Sequence, residues 1–166
     1  SSPRADMENG TIDLVVTGIY ENRPKGFYRQ KLLTDVYSSA VRKDHPVRNV
    51  DLENFAKLSH VLVTPKGDLH GIVDEALSKI KKSRYVAVGQ SHFLSAGWMT
   101  AHTDLVLTAP RMIIGNLKTF LPLREFVPPV KIPNLDLYQV WHARTHHDPV
   151  YKWLRELINK SSQFKK

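Results

Sequence analysis

The chain has 166 residues, of which 42% are hydrophobic and 24% charged, a balance typical of a folded globular domain. It contains no cysteine, which excludes disulfides and thiolate chemistry and favours a reducing compartment. No apolar run approaches the roughly 20 residues of a membrane-spanning helix, and no signal-peptide pattern opens the sequence. We therefore expect a cytoplasmic protein that does not enter the membrane.

The net charge of +8 raises the question of nucleic-acid binding. Basic residues concentrate at 79–84, where they follow a predicted helix, and in the tail 160–166. The sequence shows no zinc-ligand spacing, no helix-turn-helix pattern and no aromatic RNA-binding signature. We expect that this part of the protein does not bind DNA by itself.

Strand-like and helix-like runs alternate along the chain, which predicts an α/β fold. In the first 63 residues the pattern predicts a short buried strand at 14–17, a loop at 21–26, strands at 27–33 and 35–43, a helix at 52–58 and a buried strand at 61–63.

Between 59 and 120 the alternation of strand and helix predicts a doubly wound unit with parallel strands. A helical stripe of Val73, Ala76, Leu77 and Ile80 lies within 70–82. A strand at 85–89, a helix at 93–101, a strand at 105–107 and a helix opened by Pro110 complete the unit.

The last part of the chain predicts a strand at 135–142 followed by an amphipathic helix at 148–158. Asp148 suits the N-cap, and Pro149 suits the first helical position, where its missing N–H costs nothing. The residues expected to bury one helix face are Val150, Trp153, Leu154, Leu157 and Ile158.

Several short motifs follow one another along the chain. They are Glu8-Asn-Gly-Thr-Ile-Asp-Leu14, Asp44-His-Pro46, His60-x-x-Val-x-Pro-x-Gly67, Thr103-Asp-Leu-x-x-Thr-x-Pro110, and Trp141-His-x-Arg144 followed by Asp148-Pro-x-x-x-Trp-Leu-Arg155. Together they span about residues 8–160, and their order resembles that in the effector-binding domain of LysR-type transcriptional regulators. The resemblance implies that a small-molecule effector binds here, and that DNA is bound only through an N-terminal helix-turn-helix missing from this chain.

The resemblance also implies a two-lobed, periplasmic-binding-protein-like (type 2) fold in which each lobe is a doubly wound sheet. We expect residues 1–46 and 122–166 to form the first lobe, truncated at its N-terminus, and 47–121 to form the second. A homo-oligomer is expected, as for other members of the family.

The predicted ligand site centres on Gln90, Ser91, His92 and Phe93, which follow a strand and open a helix. Ligands bind at the carboxyl ends of strands in such sheets, and the free N–H groups of a first helical turn favour a carboxylate. Ser91 is the expected N-cap, His92 a hydrogen-bond donor to the carboxylate, and Phe93 the cover of an aromatic ring. The residues alone fit equally well a capped helix with a packed Phe93 and an exposed His92. The resemblance favours the ligand site, because the matching turn lines the effector cleft in the family.

Other strand ends are expected to face the same ligand. They contribute Thr17, Gly18 and Tyr20 from the first lobe and Thr64 and His70 from the second. Hydroxyl, amide and imidazole groups suit a small polar or aromatic acid.

Two alternatives stay open beside the regulator, namely a solute-binding lobe of a transporter and a small metal-dependent hydrolase. The hydrolase would use His142, His146, His147 and Asp148, but Asp148 is better used as a helix cap and the spacing matches no familiar zinc set. His70 and Asp74 could pair at helical spacing. The sequence contains no nucleophile elbow, phosphate loop or dinucleotide fingerprint, so we predict no enzyme, no cofactor and no metal.

Overall fold

The structure is a computed structural model that describes residues 3–18, 24–64 and 67–163. Helices and strands alternate along most of this length, which confirms the α/β class. The elements are α1 (Pro3–Asn9), β1 (Leu14–Thr17), β2 (Phe27–Asp35), β3 (Tyr37–Arg42), α2 (Leu52–Lys57), β4 (Ser59–Val63), α3 (Ile72–Ser78), β5 (Tyr85–Gln90), α4 (Phe93–His102), β6 (Val106–Pro110), α5 (Arg111–Lys118), β7 (Leu123–Phe126), β8 (Leu135–His142), a 3₁₀ turn (Ala143–Thr145) and α6 (Pro149–Gln163).

The chain divides into two compact units, one made of Ser1–Asp35 with Leu135–Lys166 and the other of Val36–Asn134. The sequence-based boundaries, 46/47 and 121/122, therefore differ from the observed ones by about a dozen residues at each crossing. The reason is strand pairing. β3 forms antiparallel ladders with β6 and with β7, so the segments on both sides of the predicted second lobe belong to its sheet.

The unit Val36–Asn134 contains a five-stranded sheet in the order β5-β4-β6-β3-β7. β4 pairs in parallel with β5 and with β6, as the sequence predicts for a doubly wound unit. Neighbouring residues such as Leu107 and Val106 belong to two different apolar clusters, because side chains alternate between the faces of a strand. One cluster packs under α4 and α5, the other under α2 and α3.

The predicted helix over 70–82 is shorter in the structure, where α3 covers Ile72–Ser78. Val73, Ala76 and Leu77 are buried as the stripe predicts. Ile80 is exposed, because it lies in the turn after the helix has ended.

The other unit contains a three-stranded sheet in the order β1-β8-β2. Leu14–Thr17 and Tyr138–Trp141 pair within this one sheet. Both pairings in it are antiparallel, so among the described residues this unit does not show the doubly wound sheet that was expected of each lobe. β1 is also not buried on both faces, since Val16 is half exposed.

The C-terminal helix begins as predicted, but its buried face is different. Asp148 Oδ1 accepts the backbone N–H of Val150 at 2.8 Å, and Pro149 is the first helical residue. Val150, Trp153 and Leu157 are exposed, so the expected apolar face is wrong at these positions. Arg155 is buried instead.

Arg155 is buried because it ties the helix to the preceding 3₁₀ turn. Its guanidinium donates to the carbonyl oxygens of Thr145 at 3.2 Å and His146 at 2.8 Å. It also lies over the ring of Trp141, 4.5 Å from the ring centre.

We expect Arg155→Leu to lower the free energy of unfolding by about 2–4 kcal/mol, because it removes charged donors from two carbonyl groups and a cation from the Trp141 ring. Lys152→Leu on the same helix replaces an exposed cation and should change stability by less than about 0.5 kcal/mol. Urea unfolding of both variants measures the difference. Equal losses in the two would contradict a structural role for the buried guanidinium.

Candidate functional site

Two predicted site residues, Thr64 and Gln90, are brought together at the carboxyl ends of neighbouring parallel strands. The backbone N–H of Thr64 donates to the carbonyl oxygen of Gln90 at 2.7 Å. The Thr64 hydroxyl donates to Asp68 Oδ1 at 2.8 Å and accepts the N–H of Gly67 at 3.1 Å. Both hydrogen bonds of the Thr64 hydroxyl therefore lie within its own loop. A ligand that bound this hydroxyl, as the sequence predicts, would have to replace or share one of them.

Helix α4 begins one residue later than expected, so its N-cap is not the predicted Ser91. His92, with extended φ and ψ of −131° and 140°, is the N-cap, and its carbonyl oxygen accepts the N–H of Ala96 at 3.2 Å. Ser91 precedes the cap and does not take that position, because the chain becomes helical one residue later than predicted. The side chain of His92 makes no capping hydrogen bond to this helix end. Ser91 and His92 are exposed, whereas Phe93 is partly buried against the cluster under α4 and α5.

His70 is exposed and lies before α3 rather than on it. The helical spacing that could have paired His70 with Asp74 is therefore not present, and both Asp74 carboxylate oxygens accept from Arg84, each at 2.9 Å. The loop that carries His70 lies close to β5. A Cβ on Gly89 would come within 2.9 Å of Leu69 Cδ2, so glycine permits this approach.

The other predicted residues belong to the unit Ser1–Asp35 with Leu135–Lys166. Thr17 ends β1 and pairs with Tyr138 of β8. Gly18 follows, and a Cβ there would overlap Leu135 Cδ1, so packing explains this glycine without a ligand. Tyr20 lies outside the described residues.

A cavity of about 730 Å³ in the unit Val36–Asn134 was not anticipated from the sequence. It lies between the start of β3, helix α5, the end of β7 and the connector 127–134. Its apolar wall includes Tyr37, Phe126, Val127, Val130 and Ile132. Its volume falls within the roughly 300–1,000 Å³ typical of small-molecule pockets.

The polar end of this cavity is built around Glu125. Glu125 Oε1 accepts the Ser38 hydroxyl at 2.7 Å and faces Arg111 Nε at 3.4 Å, while Oε2 accepts Lys118 Nζ at 2.7 Å. Burial alone would raise the pKa of Glu125, but Lys118 and Ser38 more than offset this and hold its pKa below the ordinary value. The carboxylate is therefore ionised near neutral pH.

Positive charge exceeds negative charge around the cavity. Arg111 and Lys118 share the single carboxylate of Glu125, and Lys131 adds a third cation to the lining. The Arg111 side chain is 68% exposed, so its guanidinium can reach another anion. An apolar wall with a cationic end suits a small molecule that has an apolar body and one carboxylate.

The cavity and the strand-end residues lie at the same end of the sheet. Pro110, the last residue of β6, pairs with Tyr37 at the start of β3, and the end of β7 pairs beside it through Ser39 and Phe126. The carboxyl ends of β4 and β5 point the same way, because both strands are parallel to β6 or to its neighbour. Arg111 follows a parallel strand just as His92 does, so the strand-end argument could have found it.

His146, one of the histidines considered as metal ligands, is hydrogen-bonded and stacked within the protein. His146 Nδ1 accepts the indole N–H of Trp141 at 3.1 Å, and its ring stacks on Tyr28 with 3.8 Å between the ring centres. Across residues 3–18, 24–64 and 67–163, no three histidine or carboxylate side chains cluster as metal ligands would. No helix in these same ranges is long and apolar enough to cross a membrane.

Comparison with known proteins shows that the chain is similar to parts of bacterial transcriptional regulators. The LysR substrate binding domain family matches residues 2–163. The HTH-type transcriptional activator NahR of Pseudomonas putida is 34% identical over 154 residues, which cover 92% of this chain and 51% of NahR. The chain thus spans about half the length of this relative.

Solved structures show the same fold. The regulatory domain of MexT, a transcriptional activator in Pseudomonas aeruginosa, superimposes with a TM-score of 0.82 at 27% identity, over 94% of this chain and 76% of that one. The effector-binding domain of QuiR in complex with shikimate gives a TM-score of 0.75 at 15% identity, over 96% of this chain and 76% of that one. At 15% identity, the similarity to QuiR is a similarity of fold alone.

Proposed function

The chain belongs to the LysR substrate binding domain family, and we propose that it is the effector-sensing part of a transcriptional regulator that binds DNA through a separate helix-turn-helix. The named relatives NahR and MexT are transcriptional activators, which favours this function over a transporter lobe or a hydrolase. We also propose that the whole protein is cytoplasmic and acts as a homo-oligomer, with no catalytic step.

The proposed effector is a small aromatic or aliphatic carboxylate. The observation that carries this proposal is the cavity with an apolar wall of Tyr37 and Phe126 and an excess of cations at its polar end. Arg111 would bind the carboxylate, because its guanidinium is exposed and presents paired donors that match two oxygens.

The residues at the strand ends complete the proposal within the same unit. Thr64, His70, Gln90, Ser91, His92 and Phe93 are proposed to face the ligand beyond the cavity. Support comes from the start of α4, where the N-cap residue His92 makes no side-chain capping bond, and from the exposure of Ser91 and His92. Thr17, Gly18 and Tyr20 remain proposed ligand-facing positions of the other unit.

Binding would act by shifting a conformational equilibrium. An effector can change the population of a state only by as much as it binds that state more tightly, commonly a few kcal/mol. In the proposed regulator this difference is passed from the effector-binding domain to the DNA-binding part.

We expect Arg111→Gln to weaken the binding of benzoate to the chain about 10-fold to 100-fold, because a charge-assisted hydrogen bond contributes about 1.5–3 kcal/mol. Binding of the neutral analogue benzamide should change little. Isothermal titration calorimetry with both probes measures these affinities.

A matched control is Lys79→Gln, which removes an exposed cation that does not line the cavity. It should leave benzoate binding unchanged. Equal affinity of the unaltered chain and Arg111→Gln for benzoate would contradict the assignment of this cavity to an acidic effector. His92→Ala tests the strand-end residues separately, since His92 does not line the cavity.

A further inference from the structure

Glu125 places a carboxylate among the very cations that would bind a carboxylate ligand. Its side chain is only 18% exposed, and three groups contact it, namely Ser38, Lys118 and Arg111. A site that only had to bind an acid would not need this carboxylate, because a neutral residue at position 125 would leave both Arg111 and Lys118 free to bind the ligand.

The three contacts differ in strength. The hydroxyl of Ser38 and the ammonium group of Lys118 each lie 2.7 Å from Glu125, which is the distance of strong hydrogen bonds. Arg111 Nε lies at 3.4 Å, and its side chain is the most exposed of the charged groups, 68% against 38% for Lys118. Arg111 is therefore the partner that Glu125 gives up most easily.

We propose that Glu125 is an internal competitor for Arg111 and sets the affinity of the cavity for acids, an inference that rests on the proposed function. Without ligand, Glu125 partly neutralises the guanidinium. When an acid binds, its carboxylate takes over Arg111, and Glu125 keeps Lys118 and Ser38. No buried charge is left without a partner during this exchange, which keeps its cost low.

The competition has a specific consequence for ligand choice. An acid must displace or share the Glu125 interaction and also meets its negative charge, whereas a neutral analogue does not. Glu125 therefore raises the concentration at which an acid binds, and it leaves a neutral molecule of the same shape unaffected.

The test is calorimetric titration of benzoate and benzamide into the unaltered chain and its variants at low salt. We expect Glu125→Gln, which keeps the size of the side chain, to bind benzoate on the order of tenfold more tightly, as removal of a nearby like charge predicts. Glu125→Asp restores the charge and should return benzoate affinity toward that of the unaltered chain. Benzamide affinity should stay the same throughout, and thermal melts confirm that each variant is folded.

The outcomes separate this inference from the proposed function. If Glu125→Gln binds benzoate no more tightly than the unaltered chain while Arg111→Gln loses binding, the competitor role is overturned and the effector site stands. If only Glu125→Gln binds benzoate, the competitor role is supported and the acidic effector is overturned for the unaltered chain. If neither binds benzoate, or if benzamide gains as much as benzoate, the competitor role is overturned.

Discussion

Replacing Arg84 by methionine is expected to lower the free energy of unfolding by about 3–5 kcal/mol, because it removes one partner from a buried ion pair. The Arg84 side chain is 1% exposed and makes two hydrogen bonds of 2.9 Å to the Asp74 carboxylate. Its Nη1 also lies 3.3 Å from Nδ1 of the buried His60. Methionine would leave the carboxylate and the imidazole in place without their cation. Urea unfolding at neutral pH measures the loss.

Two variants distinguish this ion pair from a general effect of losing charge. Lys57→Met removes the cation from the exposed pair with Glu53 in the same unit and should cost less than about 0.5 kcal/mol. Arg84→Met combined with Asp74→Asn should be more stable than Arg84→Met alone, because the amide oxygen can still accept the N–H of Gly71 without a buried charge. A double variant that loses as much as the sum of the single variants would show that the two side chains do not interact.

Much of the fold follows from local sequence patterns. β8 and the start of α6 are found where alternation and the Asp148-Pro149 pair predict them, because caps and strand periodicity depend on neighbouring residues. Long-range pairing does not leave such a pattern. Ser38 and Ser39 are buried in β3, where their hydroxyls bond Glu125 and Thr108, and these partners lie 87 and 69 residues away. For this reason the sequence does not assign β3 to the correct sheet.

The site was predictable only in part, for the same reason. Strand-end logic identified Thr64 and Gln90, which the structure brings together. The cavity requires β7 and the connector 127–134 to lie beside α5, and the predicted boundary at 121/122 assigned them to the other lobe. Arg111 could therefore not be connected with Glu125 from the sequence. Arg155 was not among the residues expected to be buried, because its acceptors are backbone carbonyl groups, which leave no pattern in the sequence.

His60 predicts how stability depends on pH. It is fully buried, its Nε2 donates to the carbonyl oxygen of Phe55 at 2.8 Å, and Nδ1 faces Arg84. Burial, together with the positive charge of Arg84, lowers the pKa of His60 from 6.5 to about 4, although the Phe55 bond acts in the opposite direction. The folded chain therefore keeps this imidazole neutral at pH values where an unfolded chain would protonate it.

The stabilisation linked to His60 is fully present above pH 6.5 and is lost as the pH falls toward 4, because only the unfolded state binds the proton in this window. A shift of this size corresponds to about 3 kcal/mol.

We expect urea unfolding of the unaltered chain to show this loss between pH 7.5 and 4.5. His60→Gln should be less stable at pH 7.5 but should lose about 2–3 kcal/mol less over the same range, since glutamine does not titrate. His92→Gln makes the same substitution at an exposed position and is the matched control, which should keep the pH dependence of the unaltered chain. If His60→Gln and the unaltered chain lost stability in parallel as the pH fell, the acid sensitivity would have to come from other groups.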